Sequence, residues 1–161
     1  VKYLPVAVNH PENLEARERM MVAAALGGWV LNNGGTHLGH SLAHVVGAKM
    51  GIPHGMAAAY ALPATLSLTA EVDPKKIREI GNILNVTFPK NATRTDIGDL
   101  TAEGYKNFRD EILGLPAFEQ QEITREQLLA LKENVLNERF AANSPFDVTP
   151  KAVSFTLNQF G

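Results

Sequence analysis

Cysteine is absent from the 161 residues, which excludes disulfide frameworks, thiolate zinc sites and cysteine nucleophiles. Any metal held by this chain must therefore use nitrogen and oxygen ligands. A dominant charge is lacking too. Fifteen Lys and Arg stand against seventeen Asp and Glu, with no long block of either sign, so nothing points to nucleic acid or an anionic membrane. Long apolar runs are also missing. The most apolar stretch, Met20 to Leu31, is interrupted by Gly27 and Gly28 and is shorter than a bilayer core requires. It reads as a buried helix, with the two glycines allowing close packing around Trp29. No basic leader followed by an apolar run opens the chain, which makes the cytoplasm the expected setting. Alternating apolar and polar residues with β-branched enrichment are scarce; Val1 to Val8 is the nearest approach and is brief. Internal repeats and low-complexity tracts are not evident.

What is present announces helices. With 45% hydrophobic residues, the chain can bury one ordinary core, and residues 1–161 are read as one helical bundle domain. Asn9 or His10 ahead of Pro11 starts a helix that turns apolar through Met20, Ala24 and Trp29, until Asn32 to Gly35 stop it. A second helix is expected from about Thr36, as cap, to Met50, closed by Gly51. Pro53 opens a third, which Pro63 should kink or end. Asp73 and Pro74 start a fourth, with Ile77, Ile80 and Leu84 in one stripe. Phe88 to Thr95 reads as loop, and Leu100 to Leu113 as a short amphipathic helix. Thr124 with Gln127 forms a capping box ahead of Leu128, Leu131 and Val135. Thr149 and Pro150 begin the last helix, which bears Val153, Leu157 and Phe160.

Histidine is the residue whose placement carries chemistry. His37, His40, His44 and His54 lie within residues 37–54, and the remaining histidine is His10. His40 and His44, spaced i and i+4, project from one helix face. His54 follows the Gly51 break, where a tight helix-turn-helix brings it back toward His40. Neutral imidazoles in such a pocket suit zinc, iron, nickel or copper, and spacing alone does not choose among them. His37 fits the helix start better than the ligand set. Asp96 and Asp99, beside Gly98, read as a solvated turn and cap rather than a catalytic pair.

The run Gly39-His40-Ser41-Leu42-Ala43-His44-Val45-Val46-Gly47, followed by Ile52-Pro53-His54-Gly55 and Leu62-Pro63, resembles the signature of the iron-type (group III) alcohol dehydrogenases. Leu4-Pro5, Ala16-Arg17, Gly114-Leu115-Pro116 and Asn143 to Thr149 extend the resemblance over nearly the whole chain. It implies an all-α, C-terminal metal-binding domain of a two-domain enzyme with a dehydroquinate synthase-like fold. An N-terminal dinucleotide-binding domain, outside this chain, would supply NAD(P). By position, His40 and His54 would be two of the family's metal ligands, for Fe2+ or Zn2+, and His44 a residue beside the substrate. The implied reaction is hydride transfer between a small alcohol and an aldehyde or ketone, the metal acting as Lewis acid. The family's other two ligands, an Asp and a His on an earlier helix, have no counterpart here, so the isolated chain is expected to be inactive. A homo-oligomer is possible, whereas nucleic acid and membrane are not expected partners.

Two alternatives stand beside this reading. At His37 the resemblance departs from the usual small residue, and a histidine-rich pattern occurs in maleylacetate reductases of the same superfamily. A helical metal-binding or interaction module without catalysis is the other. A zinc hydrolase is disfavoured because no carboxylate lies within the histidine run itself.

Overall fold

The computed structural model describes residues 1–161 throughout, and these form helices without a single strand. The element order is α1 (Leu4–Asn9), α2 (Leu14–Gly34), α3 (Leu38–Met50), α4 (His54–Val72), α5 (Pro74–Ile83) and α6 (Arg94–Asn107). A π-helical turn (Phe108–Ile112) and a 3-10 turn (Phe118–Gln121) follow, then α7 (Arg125–Leu129), α8 (Lys132–Leu136), a second 3-10 turn (Ala141–Asn143) and α9 (Pro150–Asn158). No helix is long and apolar enough to cross a membrane.

Two cores organise the body, and α4 runs through both. Its first half contributes Ala57, Tyr60 and Ala61 to a core built with Leu38, Leu42 and Val46 of α3 and with Leu128, Val135 and Leu157 of the C-terminal helices. Its second half lends Leu66 and Ala70 to a smaller core with Ile77 of α5 and Ile97 of α6. Close approach needs small residues at the crossings. A Cβ on Gly47 would stand 3.1 Å from the Ile52 carbonyl oxygen, and one on Gly98 would stand 2.9 Å from the Ser67 Cα. These two glycines set the spacing of α3 and α6 against α4.

Several helix boundaries differ from the sequence reading, each for a local reason. Helix α2 begins at Leu14, not near Pro11, because Asn13 is the cap: its side chain accepts the Ala16 N–H at 3.0 Å. Residues 4–9 form a short helix with proline in its first turn where the brief strand-like pattern lay. Helix α6 starts at Arg94, inside the expected loop, since Thr93 and Asp96 make a reciprocal capping box. The Thr124–Gln127 box is present as expected, but the helix it starts breaks between α7 and α8. Asp73 and Thr149 cap α5 and α9.

Pro63 neither ends nor visibly interrupts α4, which continues to Val72. Proline removes the N–H that would have bonded the Ala59 carbonyl. That carbonyl instead accepts from Arg109 Nη1 at 3.2 Å. Arg109 is buried, pairs with Asp110 and lies over the Tyr60 ring, so the helix defect and the buried cation satisfy each other.

The clearest departure is α2. It reads as buried and is exposed along almost its whole length, with Ala16 its only buried residue. Met21 is 73% exposed, Trp29 66% and Leu26 60%. Gly27 and Gly28 face open space rather than packed neighbours. Apolar residues occur all round the helix, yet within this chain it packs substantially only on α1. Its C-terminal end is tied to the body by Asn143, whose Nδ2 donates to the carbonyls of Gly34 and Thr36.

Candidate metal centre

The turn between α3 and α4 brings the histidines together. Gly51 caps α3 in the left-handed conformation at φ 71°, reversing the chain within four residues so that α4 begins at His54. His40 and His44 occupy one face of α3. The ring centroids lie 4.4 Å apart for His40 and His44, 4.8 Å for His40 and His54, and 5.3 Å for His44 and His54. One nitrogen from each of the three can be chosen so that all lie within 4.8 Å of one another.

This donor set fits a divalent ion. Imidazole nitrogens on one tetrahedral zinc, each at about 2.0–2.1 Å, stand about 3.3–3.4 Å apart, so rings whose nitrogens are as far as 4.8 Å apart would have to close by about 1.5 Å to share an ion. The group is accessible, with His54 exposed and His40 and His44 half-buried. His44 and His54 line one side of a cleft of about 500 Å³ together with Ala43, Gly47, Ala48 and Ile52. A larger cleft of about 640 Å³ lies over the α8–α9 connection; it is lined by Glu138 but by none of the histidines. Gly55 has only open space beside it, so its lack of a side chain is not what admits His54 to the group.

Burial, and after it mutual repulsion, shapes the electrostatics. Burial first, then the neighbouring imidazoles of His44 and His54, lower the His40 pKa from its ordinary value, keeping the neutral, ligating form available. His37 does not join the cluster. It caps α3, its Nδ1 accepting the Gly39 N–H at 3.3 Å, and burial lowers its pKa as well. Thr36, expected as the cap, stands one residue outside. His10 is remote in role, paired loosely with exposed Glu12.

Sequence reasoning missed two residues of the site. Phe140 packs edge-on against His40 and His44, at 5.5 and 5.4 Å between centroids. Glu138 sets a carboxylate oxygen 3.3 Å from His44 Nδ1. The site thus contains the carboxylate that is lacking in the histidine run. Both residues lie more than 90 positions from His44 and carry no local motif; only the packing of the α8 end on α3 brings them in.

With this geometry in place, comparison with known proteins is direct. The model of the Fe-containing alcohol dehydrogenase family, C-terminal region, matches residues 1–160. The chain belongs to this family. It is 28% identical over 148 residues to the NAD-dependent methanol dehydrogenase of Bacillus methanolicus, covering 89% of this chain and 38% of that protein. To the mitochondrial hydroxyacid-oxoacid transhydrogenase of Bos taurus it is 28% identical over 120 residues, covering 66% of this chain and 26% of the other. Among solved structures it superposes on an alcohol dehydrogenase from Oenococcus oeni with a TM-score of 0.85 at 25% identity, covering 98% of this chain and 41% of that one. The chain therefore spans less than half the length of each of these oxidoreductases, and its helical architecture is that of their family's C-terminal domain.

Proposed function

We propose that residues 1–161 are the metal-carrying part of an NAD(P)-dependent oxidoreductase that interconverts an alcohol with an aldehyde or ketone. The observation that carries the reading is the convergence of three imidazoles from the facing ends of α3 and α4, in a chain of the Fe-containing alcohol dehydrogenase family. His40 and His54 would hold the ion, and His44 would face the substrate. When bound, a divalent metal supplies Lewis acidity toward the alcohol or carbonyl oxygen.

The chain's own residues supply positioning and proton handling. His44 borders two clefts at once, the one shared with His54 and a second lined by Asn134, Asn137 and Glu138, so its ring can be reached from either side. A half-buried imidazole there is suited to take up or release the hydroxyl proton of a substrate. Phe140, against both rings, restricts their rotation and shields one side from solvent.

Nicotinamide cofactor would be bound by a nucleotide-binding unit, since this chain offers no strand followed by a Gly-rich loop. The apolar circumference of α2 supports contact with further polypeptide, because a helix apolar on every side is ordinarily enclosed.

Calorimetric titration of the chain with Zn2+, and with Fe2+ under anaerobic conditions, tests the metal site. One ion per chain is expected, with His40→Ala and His54→Ala each weakening binding at least about tenfold. Equal binding by wild type and both variants would remove these residues from the ligand set. The reaction is tested separately by adding a nucleotide-binding unit of the family and following alcohol-dependent reduction of NAD(P). Metal binding without turnover in the assembled protein would favour a non-catalytic module.

A further inference from the structure

Glu138 is held more firmly than a surface carboxylate has reason to be. One oxygen, Oε2, accepts from Ser41 Oγ at 2.7 Å and from the Phe140 N–H at 2.9 Å. Ser41 is fully buried, and the Glu138 side chain is only 16% exposed. The two donors come from different elements, one from α3 and one from the turn after α8. Together they fix the plane of the carboxylate and leave the second oxygen, Oε1, facing His44 Nδ1 at 3.3 Å. Burial works to raise the Glu138 carboxyl, but the hydrogen bonds from Ser41, Phe140 and His44 outweigh it and hold its pKa below the ordinary value. An ionised carboxylate has no proton to give. Wherever these two groups bond, the histidine must be the donor.

We propose that Glu138 is a positioning residue that fixes His44 as the Nδ1–H tautomer and thereby leaves Nε2 as its only free lone pair. This deepens the functional reading above, since that lone pair is what a ring beside His40 and His54 would turn toward a substrate proton. Carboxylates that orient an imidazole from behind are a general device of histidine sites, because the tautomer decides which nitrogen can act. An unassisted neutral histidine populates mainly the Nε2–H form, whose lone pair would point at Glu138 instead. Ser41, Glu138 and His44 are therefore one connected unit, with Ser41 setting the carboxylate and the carboxylate setting the ring.

The distinguishing substitution is Glu138→Gln, which keeps the shape and changes one acceptor into a donor. The Phe140 N–H cannot reverse its direction, so the glutamine oxygen takes the Oε2 position and the amide NH2 faces His44 Nδ1. An NH2 there requires Nδ1 to accept, which puts the proton on Nε2. Two-bond 1H–15N correlation spectra of the metal-free chain, at about pH 8.5 where ordinary imidazoles are neutral, read the tautomer of each histidine; a His44→Ala spectrum assigns the signals. The expected result is Nδ1–H in wild type and Nε2–H in Glu138→Gln, with His40 and His54 signals in place. Finding Nε2–H in wild type, or the same tautomer in both proteins, overturns the proposal. The wild-type spectrum decides it even if the variant fails to fold. No metal enters the measurement, so failure of the zinc titration and failure of this inference are separate outcomes.

Discussion

Helices α2 and α4 are alike in length, and from Met20 to Leu31 α2 is as free of charged residues as α4 is before Glu71, yet they are opposite in circumstance. Both carry apolar and small residues on every side. Helix α4 buries Ala57, Tyr60, Ala61, Ala64, Leu66 and Ala70, whereas α2 buries only Ala16. The comparison teaches that an apolar circumference encodes a need for enclosure and does not encode who provides it. For α4 the enclosure comes from α3, α5, α6 and α9. For α2 no other part of these 161 residues provides it.

The comparison can be broken most sharply by truncating one aromatic ring in each helix. Tyr60 is fully buried, packs against Phe118 and Phe160, and donates its hydroxyl to the Pro116 carbonyl at 2.6 Å. Tyr60→Ala should cost about 3–5 kcal/mol in urea unfolding, against less than about 0.5 kcal/mol for Trp29→Ala at an exposed site. Equal losses would mean that α2 is enclosed in solution after all, and sedimentation velocity would then reveal whether a second copy encloses it.

Alanine substitutions at glycine sharpen the contrast with a smaller effect and opposite signs. At Gly98 the added methyl meets backbone and Ala70 at 2.9–3.0 Å, and overpacking of this kind costs about 1–3 kcal/mol. At Gly27, mid-helix with nothing within 4 Å, the same change should raise stability by about 0.8–1.0 kcal/mol. Thermal melting of the two variants, one down and one up, is the check.

The smallest effect separates the helix caps. Asn13 caps α2 with an amide that does not titrate, while His37 caps α3 through a ring nitrogen that must be unprotonated to accept. Burial depresses the His37 pKa in the folded chain. Its contribution is therefore complete above the unfolded imidazole value, about 6.5, and is lost as pH falls through the lower folded value. Comparing the pH dependence of melting in wild type and His37→Asn should show an extra loss of about 1 kcal/mol, the scale of one N-cap, in wild type below about pH 6.5, beyond the acid loss that both proteins share through His40. An identical dependence in both proteins would show that the cap does not titrate.

These contrasts also locate what a sequence can disclose. The all-helical class was legible because caps, prolines and 3.6-residue stripes are local signals, as at Asp73, Thr124 and Thr149. The meeting of His40, His44 and His54 was legible because i, i+4 spacing and a glycine stop lie within 15 residues. Boundaries slipped where the capping residue was not the expected one, at Asn13, His37 and Thr93. What stayed hidden was everything that depends on a distant partner: the exposure of α2, the carboxylate of Glu138 behind His44, and the survival of α4 through Pro63. None of these has a periodicity, since each is decided by residues about 50 or more positions away or by the absence of a packing neighbour.

Pro63 gives the last of these a mechanical meaning. A proline within a helix ordinarily makes a hinge, because one rung of the hydrogen-bond ladder is gone and the two halves can bend. Here the open rung is latched by a buried guanidinium from another element, itself clamped to Asp110. Helix α4 therefore runs unbroken from His54 to Val72, and the imidazole at its head is carried by a helix anchored in both cores. With that rung filled, the placement of His54 depends on the packing of both cores at once.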